Sequence, residues 1–175
     1  MRPFITALAL SAFMCTPAFA QNKMDNGDIS AMKQLAQANL NEIAAGKTAA
    51  EKAQSPDVKQ FGQKMVDDHT KMLEDLRSLA KKKSVALPQD ADMKDMAQMK
   101  VMEHKSGAEF DQAYMEHMVK DHEKDLQDVQ SIAGKAKDPE LKAAVHKAEP
   151  KIKEHLALAQ RLSKGAAAGS SSKSK

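Results

Sequence analysis

Cysteine is almost missing from this 175-residue chain: there is one, Cys15, inside the first apolar stretch. A chain cut after that stretch keeps no thiol, which excludes disulfides, thiolate metal ligands and a cysteine nucleophile. Tryptophan does not occur and tyrosine occurs once, so there is little aromatic surface on which bases could stack. No segment alternates polar and apolar residues with period two, which argues against strands. Neither a glycine-rich phosphate loop nor a serine elbow is present, so no motif supports an enzyme. Charge of one sign is not in excess: Lys and Arg number 27 against 24 Asp and Glu. The two signs interleave along the chain, which is the pattern of a solvated helical surface and not of a nucleic-acid binder.

What is present begins with an export signal. Arg2 gives a small positive start, Phe4 to Cys15 is apolar, and Ala18-Phe19-Ala20 is a small-x-small cleavage site before Gln21. The apolar run is too short and wrongly flanked for a membrane span, and Met14 before Cys15 does not suit lipid attachment. Residues 1–20 are therefore expected to be removed. The mature chain is expected in a bacterial periplasm or outside the cell, with no membrane span.

The remainder reads as helix. After a polar lead at 21–27, Asp28 is the expected cap of a first helix reaching about Ala53. Ser55-Pro56-Asp57 opens a second helix running to about Lys83, and Asp138-Pro139-Glu140 opens the last with the same signature of cap, proline and acid. Ser106-Gly107-Ala108-Glu109 has the form of a capping box and opens a third, to about Lys135. Turns of a few residues force antiparallel hairpins. Between the hairpins lies a stretch at 84–106, long enough to traverse the structure and expected to hold a short helix near Asp92–Glu103. The predicted fold is all-α: a ferritin-like four-helix bundle of two antiparallel hairpins with a long central crossover, a plain up-down-up-down bundle being the structural alternative. The domain spans 28–164, followed by a Gly/Ala/Ser/Lys tail at 165–175 expected to be disordered.

Two echoes run through the sequence. Met65-Val66-Asp67-Asp68-His69 returns as Met118-Val119-Lys120-Asp121-His122, within a sixteen-residue phrase matching at nine positions. Ala50 to Lys59 returns more weakly as Ala133 to Lys142. The first pairs the second helix with the third; the second pairs it with the fourth. As evidence of ancestry they conflict.

The histidines carry the chemistry. His69 lies on the stripe Phe61, Met65, Met72, Leu76; His122 on Tyr114, Met118, Leu126, Val129; His155 on Ala148, Ile152, Ala159, Leu162. Steps of three and four place each on or beside a buried face. Glu42 sits at the edge of an alanine-rich stripe on the first helix. Counted from the turns, all four fall about 20–25 Å along helices of about 40 Å, near mid-height. Glu42, His69, His122 and His155 thus form a candidate transition-metal set for Zn, Cu, Ni or Fe, with Asp68 and Asp121 as candidates either to hold those side chains by hydrogen bonds or to act as additional ligands. A hydrogen-bonded polar layer would have the same pattern. The Glu-x-x-His motif of di-iron bundles is absent, because Val66, Val119 and Ile152 occupy the glutamate positions. Pro150 interrupts the amide ladder of the last helix. In the crossover, Met93, Met96, Met99 and Met102 recur at every third residue, as packing or as thioether ligands for Cu(I). His104, His117 and His146 read as surface residues.

These elements, with Asn41-Glu42-Ile43, Ser55 to Phe61, Ser106 to Tyr114, and Pro150 before His155-Leu156, resemble the secreted bacterial proteins catalogued as domain of unknown function 4142. The resemblance covers about residues 28–163. It implies a ferritin-like bundle and export, and brings no activity or ligand; the methionine run departs from the family pattern. Two functional readings stand: an exported accessory protein binding a transition metal in a mid-bundle Glu/His layer, or a structural protein that contacts envelope partners. Intact-mass measurement of the exported protein is expected to show a chain beginning at Gln21; retention of Met1 would contradict the leader.

Overall fold

A computed structural model describes residues 24–171, so the expected leader lies outside the described residues. Among those residues there are five helices and no strand: α1 (Asn26–Lys52), α2 (Pro56–Lys83), α3 (Met93–Glu103), α4 (Gly107–Lys135) and α5 (Pro139–Ser171). The all-α expectation holds. No helix among them is long and apolar enough to cross a membrane.

The helix starts depart from the expected capping in instructive ways. Asp25, not Asp28, caps α1 by accepting from Gly27 N at 2.9 Å. The helix therefore begins three residues early, and Asp28 turns inward. Ser106 makes no side-chain cap bond, and Glu109 pairs with Lys105 instead. The chain enters α4 through Gly107 at φ 59°, a left-handed start that glycine takes without steric cost. Asp138 does cap as expected, accepting from Glu140 N at 2.9 Å and Leu141 N at 3.0 Å. At the far end α5 continues to Ser171, past the expected boundary at Gly165. The run Ala166-Ala167-Ala168 has the highest helix propensity available and carries the helix on.

α1 packs along α2, and α4 along α5; the pairs meet through α1 with α4 and α2 with α5. Two buried aspartates tie the hairpins together. Asp111, near the start of α4, accepts from Gln54 N (2.9 Å) and Ser55 N (2.7 Å) in the α1–α2 turn. Asp28, near the start of α1, accepts from Lys137 N (3.1 Å) and Asp138 N (2.7 Å) in the α4–α5 turn. Each satisfies amides that a helix start leaves orphaned. The ties also fix direction: the start of α1 meets the end of α4, so these two helices are antiparallel. The segment 84–106 carries α3 back to the other end. Asn41 on α1 holds it through Asp92 N (3.0 Å) and the carboxylates of Asp92 and Asp95.

The apolar core is in two parts. One, near the α1–α2 turn, contains Phe61, Met65, Phe110, Tyr114, Met118 and Ala159. The other, near the α4–α5 turn, contains Met32, Leu73, Leu76, Val129, Val145 and Ile152. In every long helix the chain passes from one part to the other through a single polar position: Glu42, His69, His122 or His155.

Helices α1 and α2 meet backbone to backbone where Gly46 faces Gly62. A Cβ on Gly62 would lie 2.8 Å from both Ala50 N and Gly46 O. Gly62→Ala is expected to lose about 1–3 kcal/mol through overpacking, despite a helix-propensity gain of about 1 kcal/mol. Gly134 has open space around its Cα, so Gly134→Ala is expected to gain roughly 0.5–1 kcal/mol. Urea unfolding of the two variants checks the opposite signs.

Candidate metal centre

Three histidines from three helices converge between the two core parts. His69 (α2), His122 (α4) and His155 (α5) each offer a ring nitrogen, and these nitrogens lie within 4.8 Å of one another. Ring centroids are 5.7 Å apart for His69–His122, 5.3 Å for His69–His155 and 5.4 Å for His122–His155. All three side chains are buried.

The outer nitrogens fix the tautomers. His69 Nδ1 lies 3.0 Å from Asn39 Oδ1. The Asn39 amide is oriented by its Nδ2, which donates to Leu35 O at 2.7 Å, so the oxygen faces the ring and the ring must donate. His122 Nδ1 donates to Met118 O at 2.9 Å, a carbonyl that can only accept. His155 Nε2 donates to Asp68 Oδ2 at 2.8 Å. A neutral imidazole has one N–H and one lone pair. With the N–H turned outward in each ring, His69 Nε2, His122 Nε2 and His155 Nδ1 present three bare lone pairs to the centre, and none has a partner.

Burial keeps the rings neutral. It holds His69 well below the ordinary histidine value, with His122 and His155 adding to the effect. Burial, with His155 beside it, brings His122 down to about 4. His155 is also lowered by burial, though Asp68 opposes it. Asp68 itself is pushed up by partial burial, but hydrogen bonds from Lys64 and His155 prevail and its carboxyl sits at about 2. It is ionised, held 2.8 Å from Lys64 Nζ.

Glu42 lies beside this cluster and outside it. Its Oε1 is 3.7 Å from His122 Nδ1, on the outer side of that ring, and its Oε2 has no partner. Burial raises its pKa well above the usual range, helped by Asp125, Asp121 and Asp95. Of the two aspartates beside the histidine phrase, Asp68 reaches across to His155, whereas Asp121 turns to His117 Nε2 at 3.0 Å on its own helix. His117 is thus half-buried and paired, unlike the exposed His104 and His146. It lines a pocket of about 110 Å³ with Glu42, Asp95 and Asp121. The four crossover methionines do not share an environment: Met99 and Met102 are in the core, while Met93 and Met96 are 87% and 47% exposed.

Sequence reasoning missed Asn39, Met118 O and Asp125. Asn39 sits on a helix whose alanines blur the buried stripe. A backbone acceptor such as Met118 O carries no sequence signal. Asp125, one helical turn past His122, is driven up to about 7 by burial.

Comparison with known proteins gives a family. A family model described as "Domain of unknown function (DUF4142)" matches residues 13–162, and the chain belongs to that family. No curated protein and no solved structure matches it.

Buried histidines and buried carboxyls act on stability with opposite signs. His122 is held at about 4 against an ordinary 6.5, so its contribution is complete above 6.5 and is lost as pH falls toward 4. Asp125 is held at about 7 against 3.8, so its protonated form favours folding at low pH and that advantage is lost as pH rises through 7. Metal-free Asp125→Asn is therefore expected to melt higher than the wild type at pH 8 and alike at pH 4, with a steeper loss on acidification from 6.5 to 4. An equal offset at every pH would contradict this.

Proposed function

We propose that this member of the DUF4142 family is an exported, ferritin-like four-helix protein that binds a divalent transition-metal ion on His69, His122 and His155. The observation that carries the proposal is the convergence of three buried lone pairs with no hydrogen-bond donor among them. A polar layer serving only to fix helix register would pair acceptors with donors. Here each ring gives its single N–H away from the centre, and a buried polar atom left unmade costs roughly 1–3 kcal/mol. A cation is the partner that three converging lone pairs lack.

The surroundings fit. Metal-bound imidazoles ordinarily donate their other N–H to a carboxylate, carbonyl or similar acceptor, which sets the ring and raises its basicity. Asp68, Met118 O and Asn39 supply one acceptor to each ring. Neutral imidazole suits Zn(II), Cu(II), Ni(II) and Fe(II). Three protein nitrogens with Glu42 set aside leave one position open, as in Zn(II) sites that take a further ligand. The ferritin-like assignment is supported by the two hairpins and by the crossover that returns the chain to the end at which α4 starts. Export is supported by the leader at 1–20.

A metal that binds only the folded state stabilises it by mass action, by about 4 kcal/mol at 1,000 times its Kd. Adding Zn(II), Co(II) or Ni(II) to metal-free protein at neutral pH is expected to raise its melting temperature. His69→Ala and His155→Ala are expected to abolish the rise, and exposed His104→Ala to keep it. Because burial holds the rings neutral, binding is expected to survive acidification past the ordinary histidine value of 6.5 and to fail as pH nears about 4. Absence of any melting shift at neutral pH, with no heat of binding by calorimetry, would overturn the reading.

A further inference from the structure

A cleft of about 460 Å³ opens between α1, α2, α4 and α5. Leu35, Met72, Leu76, Val129, Val145 and Ile152 give it apolar walls, and the short side chains of Ala144 and Ala148 leave the space open. Its charged groups are matched, with one exception. Lys71 and Lys147 hold Asp75 at 2.5 and 2.8 Å. Lys64 and His155 hold Asp68, and Lys151 lies 3.6 Å from the same carboxylate oxygen. Lys124 holds Asp128 at 2.5 Å. Asp125 lines the cleft beside them, yet among the described residues it has no ion pair and its side chain makes no hydrogen bond.

Charge and lining together select the occupant. An unmatched carboxylate against apolar walls is costly, and burial pushes Asp125 up to about 7. A cation beside it supplies the partner it lacks, whereas an anion meets repulsion there. Asp125 and Val129 are four residues apart on α4, so they share one helix face. A head on the carboxylate therefore has apolar wall directly next to it, which a bare inorganic ion leaves uncovered. A mostly apolar hollow of this size with few polar groups is the usual form of a small-molecule site. We propose that the cleft binds a small amphiphilic cation, a primary ammonium with an apolar tail, its head on Asp125 and its tail along Val129, Val145 and Leu76. The site needs no metal ion on the three histidines, so it stands or falls apart from the metal reading.

The test is calorimetry on the metal-free protein at pH 8, where the Asp125 carboxyl is ionised. Octylammonium, octanol and octanoate share one tail and differ in the charge of the head. Octylammonium is expected to bind with a Kd at least tenfold below those of the other two. Asp125→Asn, which keeps the shape and removes the charge, is expected to bring octylammonium to the level of octanol. Ala148→Phe, which fills the cleft, is expected to weaken octylammonium and octanol alike, at least tenfold. Ala144→Leu provides a milder second block, should the phenylalanine disturb folding. Octanol or octanoate binding as tightly as octylammonium would overturn the cationic head. A preference for octylammonium that persists in Asp125→Asn would overturn the role of Asp125. Octylammonium affinity unchanged by both blocks would place binding outside the cleft and overturn the proposal.

Discussion

A neutral imidazole has one N–H and one lone pair, and where the N–H goes decides where the lone pair must point. In this protein the rule is applied three times at one level. Asn39, Met118 O and Asp68 each take an N–H outward, and three lone pairs are left facing one another with both apolar core parts closing them off. The rest of the interior follows from that layer. The core divides in two because each long helix gives up an apolar position at the same height. The rings stay neutral because burial and their mutual proximity disfavour a proton at any of them. Buried carboxyls nearby are driven the opposite way and stay protonated more readily. The layer is thus short of charge as well as of donors, the deficit on which the proposed metal site rests.

Much of this was legible because helical periodicity and turn chemistry are local. Steps of three and four placed His69, His122 and His155 on buried stripes, and counting from the Pro56 and Pro139 turns placed them at one height. What was not legible depends on rotation about helix axes and on partners from other helices. Glu42 has the right height and burial, yet it faces the outer side of His122 and not the cluster. Asp68 and Asp121 follow the same phrase and look equivalent, but one reaches α5 and the other turns back along α4. Asp28 has the composition of a cap and serves as one, for a different helix. The methionine run could not show that its period of three, against 3.6 residues per turn, sends successive side chains from core to solvent.

The conflict between the two sequence echoes has a structural answer. Asp28 and Asp111 are 83 residues apart, and so are the turn residues Gln54 and Lys137 that they cap. The same offset relates Pro56 to Pro139, Val58 to Leu141, Asn39 to His122 and Glu42 to Asp125. The hairpins therefore correspond to each other, α1–α2 to α4–α5, and each reaches across to cap the other's turn. Under that correspondence His69 pairs with Ile152 and His155 with Met72. The histidine phrase is then not an inherited repeat. It is the common solution to placing an imidazole at mid-height in α2 and α4.

Small residues on α1 serve two ends of the molecule differently. Near the α1–α2 turn, Ala45, Gly46 and Ala49 let the backbone of α1 touch that of α2 at Gly62. Past the polar layer, Ala38 faces a region where Ala144 and Ala148 of α5 are also short, and the helices do not close over the gap. Close packing at one end holds α1 against α2; looseness at the other leaves a cleft that His69 helps to line. A layer whose only task was to fix register would gain from a filled core on both sides, because each unfilled cavity costs stability. Hollows remain on both sides of the layer, about 460 Å³ beside His69 and about 110 Å³ beside Glu42, so the interior is not packed for register alone.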